Sequence, residues 1–229
     1  MAKKKRIIIG PPVPLPSPQL GLFGSITPLR SFPPNREALL DFALAGPVAS
    51  VVASLACVLG GIFASLRVMP IDLVHYPVVP AVLLKSSFLV GTFFSWFAPK
   101  TMMIPLAQPV PVHPLFVVGF SGLVSSALNL LPLLRLDGGR ACSAAMGPRQ
   151  GALISVATLF FILSHTLSGN SGILLSWGLM IALFQRRVEI PARDEVTEVS
   201  NLRRGVWFFS FVLSLTILAP FPGSSGNIL

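Results

Sequence analysis

The sequence is short of charge, of cysteine and of paired histidine, and each shortage excludes something. Only 11% of its 229 residues are charged, against roughly 25% in a soluble domain. Too few polar side chains remain to cover a globule, which excludes an ordinary soluble enzyme and a disordered tail protein. The two cysteines, Cys57 and Cys142, cannot build a disulfide framework or a four-thiolate metal site. Cys57 lies within an apolar run and reads as a small packing residue. His75, His113 and His165 stand singly: none is four residues from another and none adjoins a glutamate. A signal core is missing as well. Lys3-Lys4-Lys5-Arg6 leads into Ile7-Ile8-Ile9, but Gly10-Pro11-Pro12 stops the run, short of the ~7–15 apolar residues such a core needs. The first residues lack the Arg- and Ser-rich amphipathic pattern of a transit peptide. They read as though the record starts inside something longer.

What is present is apolar. Hydrophobic residues make up 53% and the mean hydropathy is +0.78, the composition of a chain solvated by lipid. The formal charge is +9, from 17 Lys and Arg against 8 Asp and Glu. These cations flank apolar runs, which is the pattern of membrane-surface anchoring. Lys3–Arg6 lacks interleaved aromatics, and Arg186-Arg187 and Arg203-Arg204 adjoin spans, so headgroup contact explains them and nucleic acid is not an expected partner. Arg149, Arg186 and Arg187 read as interfacial anchors.

A bilayer crossing needs ~20 apolar residues. Phe42–Leu66 qualifies. Thr101–Leu134 does too, although Pro105, Pro109, Pro111 and Pro114 push its helix to begin near Leu115. Gln150–Gln185 is uncharged, but Ser168-Gly169-Asn170-Ser171-Gly172 divides it into two helices. Gly205–Phe221 is a last candidate, and Ser86–Ala98 is short enough to be tilted or re-entrant. The expectation is an all-α polytopic membrane protein of about five transmembrane helices plus that short segment. Pro11, Pro12, Pro14, Pro16 and Pro18 make the N-terminal segment extended rather than helical. Within the first span, Ala49, Ala53, Cys57, Gly61 and Ser65 recur every four residues, the spacing that lets two helices approach closely.

The chemistry concentrates in Asn129-Leu-Leu-Pro132-Leu-Leu-Arg135-Leu136-Asp137-Gly138-Gly139-Arg140. A carboxylate at the end of a long apolar run is costly in lipid unless it pairs, binds a metal or reaches water. Pro132 disfavours helical geometry at Leu131. Gly138-Gly139 lets the backbone approach another element or a ligand. Two structural roles compete with a functional one: Asp137 as the N-cap of a short helix closed at Gly147-Pro148, and Asp137 paired with Arg135 or Arg140. A transporter lined by Asp137 and Arg140 is a further reading. It lacks the internal repeat such folds show, since the Asn129–Gly139 pattern has no second copy.

Asn129-x-x-Pro132 followed by Leu136-Asp137-Gly138-Gly139 resembles the second signature of the site-2 proteases, intramembrane zinc metalloproteases of the peptidase M50 type. Further segments resemble its plant-plastid and cyanobacterial branch, the "ethylene-dependent gravitropism-deficient and yellow-green" proteases. They are Gly21-Leu-Phe23-Gly24-Ser25-Ile26-Thr-Pro, Pro34-Asn35-Arg36 through Asp41 to Ala45-Gly46-Pro47, His113-Pro114, and Asp194-Glu-Val196-Thr197-Glu-Val. They occur in order over nearly the whole chain.

The resemblance implies a zinc enzyme that cleaves membrane-protein substrates in regulated intramembrane proteolysis, as a multi-pass protein of a plastid or thylakoid membrane. It implies Asp137 as a zinc ligand and Asn129 as a hydrogen-bonding partner of unwound substrate backbone. It also implies a small β-element at Phe23-Gly24-Ser25-Ile26 that offers an edge to substrate. The implied organisation is an extended Pro-rich segment with that β-element over 1–36, a peptidase M50-like transmembrane domain over 37–221, and a tail over 222–229. The departure is the family's His-Glu-x-x-His helix, which supplies two zinc ligands and the catalytic glutamate and which this sequence does not contain. No catalytic residue is therefore assigned, and zinc is not bindable by this chain alone. That helix would stand just upstream of Lys3, so the expectation is a truncated record of the protease. The alternative is a true loss: an inactive member that binds or shields other membrane proteins.

Overall fold

The computed structural model describes residues 7–17, 21–67, 76–133, 136–167, 177 and 192–222. Of the residues named above, Lys3 to Arg6, Pro18, His75, Arg135, Ser168 to Gly172, Arg186 and Arg187 lie outside the described residues, as do the side chains of Phe23, Ile26 and His165. The chain falls into two compact units, Met1–Val48 with Leu128–Val212, and Ala49–Ala127 with Leu213–Leu229.

The first unit opens with an antiparallel hairpin of β1 (Val13–Ser17) and β2 (Gly21–Ile26). Its pairing runs Val13 to Ile26, Pro14 to Ser25 and Leu15 to Gly24, then shifts so that Pro16 faces Leu22. Phe23 is the extra residue of a bulge, and Gly24 beside it takes φ +122°, a conformation open to glycine. The long helix α1 (Arg36–Arg67) starts here, with Asn35 Oδ1 accepting the Ala38 N–H at 2.9 Å, an N-cap.

Against the start of α1 lies the polar stretch 192–200. Asn35 bridges Asp194 in parallel, and the Arg193 N–H reaches Pro33 O at 2.9 Å. Ser200 N–H and the Arg203 guanidinium both meet Glu37, and Arg203 also donates to Asp41 at 3.1 Å. The two matching segments around Asn35 and Asp194, some 160 positions apart, are thus neighbours.

In the second unit, α1 from Ala49 onward packs on α5 (Pro114–Leu130). Backbones come close: a β-carbon at Gly61 would overlap the Phe116 backbone, and one at Gly119 would lie 2.6 Å from Val58 N. Ser126 Oγ donates to Gly122 O and meets Ser50 Oγ at 2.7 Å, while Ser65 Oγ accepts the His113 N–H at 2.8 Å. The contact face is therefore Ser50, Ser54, Cys57, Val58, Gly61 and Ser65. The four-residue stripe expected from the sequence holds from Cys57 onward and fails above it, where Ala49 and Ala53 are exposed. With 3.6 residues per turn, each step of four rotates by ~40°, so a five-member row drifts off one face.

A second two-stranded sheet, β3 (Val78–Pro80) with β4 (Pro109–Pro111), precedes α5. Between these strands come α2 (Ala81–Lys85), α3 (Phe88–Phe97) and α4 (Pro99–Met102). Residues past the last helix return to this unit, with Phe221 N–H bonded to Lys85 O at 2.9 Å and the Phe221 ring against Gly91.

The expected five crossings are not what the helices provide. Among the described residues one helix, α1, is long and apolar enough to cross a membrane. Prolines cut the Thr101–Leu134 run into α4, β4 and the 17-residue α5, which at 1.5 Å per residue reaches only ~26 Å. The short segment became the ten-residue α3. The described apolar part of α7 (Pro148–Leu167) ends at Ser164. The final helix, α8 (Asn201–Leu218), takes Arg203 and Arg204 into its first turn, which lowers its hydropathy. An uncharged run sets an upper bound on a helix, and proline and capping chemistry decide how much of it is used.

Two neighbouring glycines test the α1–α5 contact. Nothing lies within 4 Å of a β-carbon at Gly60, so Gly60→Ala is expected to stabilise by up to ~1 kcal/mol through helix propensity. Gly61→Ala is expected to destabilise by ~1–3 kcal/mol through overpacking. Thermal unfolding in detergent micelles reads both, and equal shifts would contradict the contact.

Candidate functional site

The site is built where α5 ends. Pro132 stops the helix as its chemistry requires: the last helical residue is Leu130, and the chain turns with Leu131 N–H to Leu128 O at 3.3 Å and Leu133 N–H to Leu131 O at 2.7 Å. Asn129 sits in that last turn and is buried, at 8% exposure.

Helix α6 (Asp137–Met146) follows within a few residues. Leu136, not Asp137, is its N-cap, and no side chain caps it. Asp137 occupies the first helical position, where a carboxylate meets the positive end of the helix dipole. A β-carbon at Gly138 would overlap the carbonyls of both Leu130 and Leu131. The expected close backbone approach is realised there, against the end of the neighbouring helix rather than a ligand. Glycine at this position brings the first turn of α6 onto the last turn of α5, and Asp137 and Asn129 into one region.

Asp137 is half-buried, with 27% of its side chain exposed, and Arg140 one turn later is buried at 2%, its guanidinium 3.9 Å from the Asp137 carboxylate. Pairing with Arg140, one of the structural roles open to Asp137, is therefore present. The helix ends at Gly147, φ +100°, before Pro148, the closure expected from the sequence. Cys142 is fully buried on α6, and burial pushes its thiol up to about 11; such a thiol stays protonated and unreactive at neutral pH.

The hairpin meets Asn129. A β-carbon on Gly24 would overlap the Asn129 carboxamide, lying 3.0 Å from Cγ and 3.1 Å from Oδ1. Two of the residues singled out for substrate contact are thus adjacent, and Gly24 is required twice, by its φ and by this contact. Ser25 is exposed, Ile26 pairs with Val13, and Phe23 is the bulge residue. The sequence carried the glycine but no sign that it faces Asn129. The burial of Arg140 was equally out of reach, because an arginine beside an aspartate reads as solvent-facing.

Catalytic zinc takes three protein ligands and a water, and the described residues do not fit one. Among them no three His, Cys, Asp or Glu side chains come together. Asp137 is a single carboxylate already facing a guanidinium. His113, in the second unit, uses Nδ1 to accept the Leu115 N–H at 3.2 Å and sets its ring edge-on to Tyr76, capping α5.

The Gly24–Asn129 contact has a testable signature. Gly24→Ala is expected to destabilise by ~1–3 kcal/mol through overlap and left-handed strain. In the double variant with Asn129→Ala the overlap is gone and only the strain remains. The double variant should therefore be less destabilised than the sum of the singles, by ~0.5 kcal/mol or more in urea unfolding. Strict additivity would mean the two residues do not touch.

No family model matches the chain, and no solved structure is similar to it. Curated proteins are similar along most of it. A probable zinc metalloprotease EGY1, chloroplastic, of Arabidopsis thaliana is 33% identical over 220 residues, which is 96% of this chain and 39% of that protein. A probable zinc metallopeptidase EGY3, chloroplastic, of the same plant is 31% identical over 236 residues, 99% of this chain and 40% of that protein. The DDT domain-containing protein PTM, also of Arabidopsis thaliana, is 34% identical over 165 residues, 72% of this chain and 9% of that protein. The chain spans about two fifths of the length of the metalloproteases it matches. Over that span, it belongs to the EGY branch of the site-2-protease-like proteins.

Proposed function

We propose that this chain is the substrate-holding part of an intramembrane zinc metalloprotease that cleaves membrane-protein substrates in a plastid membrane. The observation that carries the reading is the Gly24–Asn129 contact, which joins the β-element to the carboxamide in the turn leading to Asp137. The zinc named in the relatives supplies a Lewis acid and a metal-bound water when present. The described residues do not form its site, and no hydrolytic step is assigned to them.

What these residues do is bind and orient. Proline has no N–H, so in a ladder that pairs Pro14 with Ser25 and Pro16 with Leu22, both prolines turn their amide positions away from β2. The outer edge of β1 is thereby denied donors at those positions. The outer edge of β2 keeps the Ser25 N–H and C=O. An extended substrate segment can add to β2 and not to β1, and Asn129 lies against that strand. Support for a lipid partner comes from α1 and from the exposed Phe160, Phe161, Phe208 and Phe209, and for a plastid address from the chloroplastic names of the relatives.

A second reading is a non-catalytic membrane protein of the same branch that binds or shields other membrane proteins. It is favoured by the Asp137–Arg140 pair and by the match to a protein whose name specifies no protease.

The full-length protein, reconstituted in liposomes with a single-span reporter protein, separates the two. The proteolytic reading expects reporter fragments from the wild type and none from Asp137→Asn. Asn129→Ala should raise KM about five- to tenfold, the loss of a hydrogen bond worth ~1 kcal/mol. Cleavage indifferent to Asp137 sinks the proteolytic reading, and reporter cleavage that a zinc chelator abolishes and Asp137→Asn lacks sinks the non-catalytic one.

A further inference from the structure

Helix α6 has ten residues, ~15 Å of length, too short to hold its own direction in isolation. Its N-terminal end is held at Gly138. Its other end has a specific defect. In a continuing helix the Ala144 carbonyl would accept the N–H of the residue four ahead, but that residue is Pro148, which has none. Gly147 N–H is already given to Ser143 O at 3.0 Å. The orphan is filled from 108 positions away: Arg36 Nε donates to Ala144 O at 2.9 Å, a buried hydrogen bond. Arg36 is only 8% exposed, and its guanidinium also lies beside Gly147, where a β-carbon would sit 3.7 Å from the terminal nitrogen. A cation at a helix C-terminus is favoured by the dipole as well as by the carbonyl.

We propose that Arg36 is the positioning residue of α6: by capping Ala144 at one end it fixes the helix that presents Asp137 at the other. Arg36 touches no reacting atom and acts through α6. The consequence for Asp137 rests on the proteolytic reading above, whereas the capping role does not.

Cys142 on α6 and Cys57 on α1 make a native pair of reporters for the test. In the full chain purified in lipid nanodiscs, maleimide labelling at pH 7.5 is followed at each cysteine by peptide mass spectrometry for wild type, Arg36→Met and Arg36→Lys. The expected result is a rise of tenfold or more in Cys142 labelling for Arg36→Met, with Cys57 labelling and helix content unchanged. Arg36→Lys, which keeps a charge and a donor, should restore at least half of the protection. Unchanged Cys142 labelling in Arg36→Met overturns the proposal. So does a parallel rise at Cys57, which would make Arg36 a general requirement for folding, and so does a failure of Arg36→Lys to protect. Asp137→Asn in the same assay should leave Cys142 protected. If reporter cleavage proves independent of Asp137, the proteolytic reading falls while the Cys142-to-Cys57 ratio still decides the role of Arg36.

Discussion

The candidate site depends on one close approach, the first turn of α6 lying against the carbonyls of Leu130 and Leu131 at Gly138. No side chain larger than hydrogen fits there without moving backbone. Because α5 ends two residues before Pro132 and α6 begins at Asp137, this contact brings the amide of Asn129 and the carboxylate of Asp137 into one region without a long loop to order. Asn129 in turn receives the hairpin at Gly24. Two glycines and a proline therefore assemble three elements, and the polar side chains are carried into place by the backbone.

Those polar side chains sit in unusually apolar surroundings. Asn129, Arg140 and Arg36 are all buried, and burying a polar or charged group is tolerable only when it is bonded or paired. Arg36 has a helix end to bond, and Arg140 has Asp137 one turn away. The small residues of α6, with Ala141, Cys142, Ala144 and Ala145 all buried, let the surrounding chain close around it. A helix of this composition has little hydrophobic area of its own, so its placement rests on its ends.

Local chemistry was legible wherever a single residue forces the backbone. Pro132 ended α5 where its effect on the preceding residue demands, Pro114 opened that helix, and Gly147-Pro148 closed α6. The β-element at Phe23–Ile26 appeared as a strand. Legibility failed where a run was read for length alone: prolines and Arg203-Arg204 shortened or polarised helices that looked long enough to cross a bilayer. The β3–β4 sheet went unread because two three-residue strands containing three prolines carry no alternation to detect. The small-residue stripe was half right, since helical drift hands the contact from Gly61 and Cys57 to Ser54 and Ser50 rather than to Ala53 and Ala49.

By itself the sequence determined the composition of an apolar chain, the proline stop of α5, the Gly147-Pro148 close of α6 and the family to which the matching segments belong. These follow from short-range sterics and from residue chemistry that needs no partner. Tertiary structure alone decided that Gly24 faces Asn129, that Arg140 is buried beneath Asp137, and that Arg36 supplies the hydrogen bond Pro148 cannot. Each of those contacts joins residues through packing, and a buried polar group declares its partner only when the folded backbone has left it one.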